Sequence, residues 1–249
     1  MRPRIAVRSG LALAFVLTLS ACVPSPVQEP VRSTAAPPAF PMLEYERMAQ
    51  RGVHVFVVDA GASRVLIEVR RAGPLARLGH DHSLVAHVHG YIAPQEQRAD
   101  LYVRLDTLAV DEPDARREAG FDTQPSAADI AGTRQNMLTK VLDARFAFVQ
   151  VRIAGAQTPG VPTKAVVALN GSERVVPVAV ERKEDAKRFV ATGELSIRQS
   201  DFGIAPFSIL GGAIQVADRI DVRFTIDARL LEPSTARHEE TRDAIQSMR

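Results

Sequence analysis

The sequence predicts a mainly β protein, built as a single antiparallel β-barrel of about eight strands with a helical insertion. Three features of the 249-residue chain carry that reading. From Arg219 to Leu230 apolar and polar residues alternate without a break. Ile220, Val222, Phe224, Ile226, Ala228 and Leu230 alternate with Arg219, Asp221, Arg223, Thr225, Asp227 and Arg229. Successive side chains of a strand point to opposite faces, so this is one long strand with a dry face and a wet one. Segments of the same period recur through the chain with polar turns between them, as half-buried antiparallel strands do. There is no strand–helix alternation of the kind that builds a parallel sheet, no internal repeat and no second domain.

Taken in order, the chain opens on residues that are not part of the fold. Arg2, Arg4 and Arg8 form a basic start, and Leu11 to Leu19 form an apolar run. That run is shorter than the roughly 20 residues needed to span a bilayer, so residues 1–21 read as a secretion signal. Leu19-Ser20-Ala21-Cys22 resembles a bacterial lipobox, in which the chain is cleaved before the cysteine and the thiol is acylated. Cys22 is the only cysteine, and an unpaired thiol would otherwise be out of place in an oxidising compartment. Residues 22–42 carry Pro24, Pro26, Pro30, Pro37, Pro38 and Pro41 and read as an extended tether. The barrel domain is expected over 43–233, followed by a charged tail over 234–249.

Charge excludes one class of partner. The whole chain has a formal charge of +2, and losing Arg2, Arg4 and Arg8 with the signal leaves the mature chain near −1. A nucleic-acid binder needs a basic excess or a basic stripe, and neither is present.

Strands are expected over Val53 to Asp59 and Ser63 to Arg70, where Val65, Ile67 and Val69 alternate with Leu66, Glu68 and Arg70. In His82 to Ile92, Leu84, Ala86, Val88 and Ile92 share a face, with His87, His89 and Tyr91 opposite. In Ala99 to Asp106, Leu101, Val103 and Leu105 face away from Tyr102, Arg104 and Asp106. The period then changes. A short helix is expected around Asp114 to Glu118, and a longer one over Ala127 to Leu142 capped by Ser126, with Asp129 near its N-terminus. Its stripe of Ile130, Met137, Leu138, Val141 and Leu142 suits packing against the barrel better than ligand contact. Strands resume over Arg145 to Ile153, Lys164 to Leu169, Arg174 to Glu181 and Arg188 to Arg198. Asn170-Gly171 is a strong hairpin signal because both residues tolerate positive φ, and Gly193 permits a bend in the last of these strands.

Arg198, Asp201, Phe202, Gly203 and Ile204, followed by a loop and the alternating terminal strand, resemble the C-terminal signature of the YceI-like family. Val57-Val58-Asp59 with Ser63 resembles that family's opening strand, and Met137 to Phe148 resembles its helix end leading into a strand. The resemblance covers most of the domain. It implies a lipocalin-like barrel that takes up polyisoprenoid chains. It also has gaps. Ala62-Ser63 stands where the family often has His-Ser, and no histidine stands near Arg71-Ala72, so ligand contacts assigned to those histidines do not carry over.

A barrel of about eight strands either fills its interior with side chains or holds one small ligand. Periodicity alone favours the solid core, whereas the resemblance favours a cavity for an isoprenoid or other long-chain lipid. The expected lining is Val65, Ile67, Val69, Leu84, Ala86, Val88, Leu101, Val103, Leu105, Phe202, Ile220, Val222, Phe224 and Ile226. His80 and His82 share the inward parity of Leu84 and are expected at the rim, as a hydrogen-bonded edge or as head-group contacts. With Asp81 they could also serve a metal or acid–base site. A metal needs three or four ligands, and no third is evident. His87 and His89 fall on the opposite face. No nucleophile motif, phosphate loop or HExxH pattern occurs, so no catalytic residue, metal or cofactor is assigned. The sequence therefore points to a binding protein, with an enzyme or a filled structural envelope lipoprotein as alternatives. The expected partners are the lipid and a membrane reached through acylated Cys22, with no nucleic acid and a homodimer left open. Val23, rather than an aspartate, follows the cysteine, which places the expected anchor at the periplasmic face of the outer membrane.

Overall fold

The computed structural model describes residues 36–143, 145–155 and 161–232. The expected signal, Cys22, the tether up to residue 35 and the tail over 234–249 lie outside them. The elements are α1 (Met42–Gln50), β1 (Phe56–Val58), β2 (Arg64–Ala72), β3 (His82–Ala86), β4 (Val88–Ala93), β5 (Arg98–Arg104) and β6 (Ala109–Val110). Then come α2 (Pro113–Glu118), α3 (Ala127–Asn136), β7 (Phe148–Ala154), β8 (Thr163–Leu169), β9 (Ser172–Glu184), β10 (Arg188–Arg198), β11 (Ser208–Ile209) and β12 (Ile214–Leu230).

Each wall of the barrel runs antiparallel to the next. β1 with β2, β3 with β4, and β5 with β6 make three interrupted staves, and β7, β8, β9, β10 and β12 make five more. The alternating strand closes the ring. β12 pairs along its length with β10, from Arg188↔Arg229 to Arg198↔Arg219. On its other side it pairs first with β2 and then, through Phe56↔Leu230 and Val58↔Ala228, with β1. The result is a closed antiparallel barrel of eight staves, which leaves no long unpaired edge among the described residues.

The wet face of β12 is held by neighbouring charges. Arg223 binds Glu68 at 2.6 Å, Arg219 binds Asp221 at 2.8 Å, and Arg188 pairs with Asp227. Where β1 passes into β2, Asp59 accepts the N–H groups of Gly61 and Ala62 and turns the chain. Ser63 then fastens the jog to β12. Its buried hydroxyl donates to the Asp227 carbonyl at 3.0 Å and accepts the Asp227 N–H at 2.9 Å.

Two glycines make local geometry possible. Asn170 and Gly171 have φ of 52° and 75°, the left-handed pair of a type I′ turn joining β8 to β9. At Gly193 a Cβ would lie 2.3 Å from the Ala179 carbonyl and 2.7 Å from the Phe224 ring. The missing side chain lets β10 press against β9 while Phe224 fills the inside.

The structure departs from expectation at five places. α1 appears where no element was expected. Tyr45 and Ala49, one turn apart, are buried against Val55 and Ala93, and Tyr45 donates to Asp100 at 2.8 Å. Residues 36–42, expected as the end of the tether, belong to the folded unit, because the Phe40 ring meets the Tyr102 ring edge-on at 4.9 Å. The first strand is only Phe56–Val58, and the strand expected from Arg145 begins at Phe148. The long helix divides into α3, with its Ser126–Asp129 capping box, and a π-turn at Met137–Val141.

Candidate functional site

The barrel is not solid. It encloses a cavity of about 690 Å³, within the usual range of small-molecule pockets. The interior parity of every stave supplies its wall. Val65, Ile67 and Val69 of β2, Leu84 and Ala86 of β3, and Val88 of β4 line it. Leu101 and Val103 of β5, the following Leu105, and Ile220, Val222, Phe224 and Ile226 of β12 complete the set expected from alternation. Phe202 is the exception among the expected lining residues. It is 1% exposed and packs with Val176, Val178 and Ile204, so it supports the wall and does not form its surface.

α3 contributes a face that the sequence did not reveal. Ala128, Asp129, Gly132, Thr133, Asn136 and Met137 recur at helical spacing along the cavity, and Val141 and Leu142 continue the lining. Met137, expected only to pack, faces the cavity. The face was hidden because most of its residues are small or polar, so they add nothing to an apolar stripe.

The polar part of the lining gathers at the ends. At the end where β2 finishes and β3 begins stand Arg71, His80 and His82. His82 leads into a buried network. Its Nδ1 lies 2.6 Å from Oδ2 of Asp111, whose side chain is fully buried. Oδ1 of Asp111 accepts from the Ser83 N–H at 3.0 Å and from Arg116 Nη1 at 2.6 Å. Arg116 also donates to the Asp81 carbonyl at 2.6 Å and to Thr123. Burial pushes the Asp111 carboxyl up, but the hydrogen bonds from His82 and Ser83, with Arg116 behind them, more than offset it and hold it below the usual range. An ionised carboxylate only accepts, so Nδ1 of His82 carries the proton. Nε2 of His82 lies 3.5 Å from the Thr133 hydroxyl, at the limit of a hydrogen bond.

His80 stands beside it, with ring centroids 6.3 Å apart, and its Nδ1 is buried without a hydrogen-bond partner among the described residues. Asp81 turns away to accept the Arg71 N–H at 2.8 Å. The alternative grouping of His80, Asp81 and His82 as one metal or acid–base site therefore does not form. The carboxylate that meets His82 is Asp111, distant in sequence. Among the described residues no three His, Cys, Asp or Glu side chains are placed to hold one metal ion. His87 is exposed and contacts the Ala60 carbonyl, while His89 stacks on Tyr102, both away from the cavity.

These features define a class: a lipocalin-like barrel with an apolar interior and a polar rim. A solved structure shares the fold. A polyisoprenoid-binding domain from Saccharophagus degradans, implicated in plant cell wall breakdown, superposes with a TM-score of 0.50 at 13% identity, covering 71% of this chain and 98% of that one. Burkholderia cenocepacia BcnA gives a TM-score of 0.45 at 12% identity, covering 68% and 98%. No family model and no curated protein sequence matches the chain.

Proposed function

We propose that the protein binds a long apolar chain of isoprenoid type inside its barrel and carries or sequesters it in the cell envelope, without catalysing a reaction. One observation carries this reading: a cavity of about 690 Å³ walled by aliphatic side chains from all around the barrel, with its polar groups kept to the ends. Burying each methylene is worth roughly 0.8 kcal/mol, so a prenyl chain of moderate length outweighs the cost of ordering it. The polyisoprenoid-binding domain that shares the fold supports the same ligand class. The protein acts as a lipoprotein at the periplasmic face of the outer membrane, held through acylated Cys22. Labelling with a fatty-acid analogue should mark the wild type and spare Cys22→Ser, and equal labelling of both would end the anchoring claim.

Two substitutions test the binding site itself. Val103→Trp and Val222→Trp each place an indole in the cavity wall. The chain has no tryptophan, so each variant also gains a unique fluorescent reporter. Both should fold, lose most prenyl uptake and show a blue-shifted emission. Undiminished uptake by folded variants would place the ligand elsewhere.

A further inference from the structure

We infer that the rim histidines select a neutral, hydroxyl-terminated head, so that the preferred ligand is a prenyl alcohol or a similar hydrogen-bond donor, not a prenyl phosphate. This rests on the chain-binding reading above and adds the chemistry of the head.

The inference follows from which hydrogen-bonding positions remain open. Asp111 accepts a hydrogen bond from Nδ1 of His82 at 2.6 Å, and Arg116 at 2.6 Å balances the buried carboxylate. With the proton on Nδ1, an imidazole presents a lone pair on Nε2 as an acceptor. The only partner for Nε2 among the described residues is Thr133, at 3.5 Å, too far to satisfy it well. Nδ1 of His80, on the neighbouring ring, is buried and unpaired. Two unmet ring nitrogens on cavity-lining residues call for a ligand that completes their hydrogen bonds. A hydroxyl gives its proton to Nε2 of His82 and offers its oxygen to the neighbouring side chains.

An anionic head fits poorly. The cations lining the cavity are Arg71, Arg98 and Arg182. Arg98 and Arg182 stand at the opposite end, where β5 starts and β9 finishes. Arg71 is already paired with Asp81 at 3.6 Å and Asp122 at 3.3 Å. Asp129 faces the same end of the cavity as the histidines, and its hydrogen bonds to Ser126 hold it ionised. A phosphate placed beside His82 would meet Asp129 without a free guanidinium to balance it.

The test compares geranylgeraniol, the prenyl hydrocarbon of equal length and geranylgeranyl phosphate on delipidated full-length protein. A hydrogen bond of ordinary strength should make the alcohol roughly three- to tenfold tighter than the hydrocarbon in the wild type. His82→Phe and His80→Phe keep ring volume and should erase that preference, leaving hydrocarbon affinity within about twofold. His80→Phe breaks no side-chain hydrogen bond among the described residues, so it serves even if His82→Phe loosens the Asp111 network. Equal binding of alcohol and hydrocarbon by the wild type, a preference that survives both substitutions, or tighter binding of the phosphate would each overturn the inference. Binding of neither alcohol nor hydrocarbon would overturn the chain-binding reading and this inference with it. Hydrocarbon binding without an alcohol preference would overturn this inference alone.

Discussion

Asp111 is the residue on which the rim depends, and it was not legible in the sequence. It has a left-handed backbone, φ 55°, at the turn after β6, and it meets His82 only because β6 pairs with β3 through Leu84↔Val110. No spacing rule connects residues 29 positions apart in this way. The inward aliphatic set was legible, because a period of two assigns each residue to a face whatever its partners are. Asp111→Asn removes the charge but keeps the shape, leaving Arg116 buried without its counter-ion. Removing one partner of a buried pair typically costs about 3–5 kcal/mol, so chemical denaturation should show a loss of that order at neutral pH. The pH dependence has a definite sign. A carboxyl whose pKa is lowered by folding stabilises the protein above its unfolded value, near 3.9, and loses that contribution as pH falls through the lower folded value. The gap between wild type and Asp111→Asn should therefore narrow below about pH 4. A gap that stays constant to pH 2 would show that Asp111 is not the ionised centre of the network.

α3 and its π-turn form an element whose existence was legible but whose role was not. The Ser126 cap and the helix start at Ala127 follow from residue types that satisfy free N–H groups at a helix N-terminus. The cavity-facing side is built of Ala128, Gly132, Thr133 and Asn136, which carry no hydrophobic signal. α1 was missed for a related reason. It follows a proline-rich stretch, and only the Tyr45, Met48 and Ala49 spacing marks its buried face. Ser126→Ala removes the hydroxyl that accepts the Asp129 N–H, while the backbone N–H at 126 still donates to the Asp129 carboxylate, and should cost about 0.5–2 kcal/mol, felt first in the opening turn of α3. Hydrogen exchange should then speed up over Asp129 and Ile130 while the amides of β10 and β12 remain protected. Uniform acceleration across the barrel would mean that α3 is not a locally separable cover.

Closure of the whole molecule links the alternating strand to the cavity. β12 touches both β10 and the β1–β2 stave, so each inward residue on it faces a ring of walls and not a second sheet. The sequence supported this ring through strand count and alternation, and the resemblance to the YceI-like family implied a hollow interior. Hollowness itself is not a property of the pattern, since the same aliphatic residues could have filled a solid core. It emerges from the geometry of the eight staves and from small inward residues such as Ala86, Ala165 and Ala191. The central claim is that this interior carries a prenyl chain. Its most direct test is mass spectrometry of organic extracts from protein purified out of its native envelope, paired with uptake by the delipidated protein. The account predicts a prenyl lipid in near-stoichiometric amount, released on extraction and taken up again by the emptied barrel. An extract free of lipid, with an emptied barrel that takes up no prenyl chain, would contradict it.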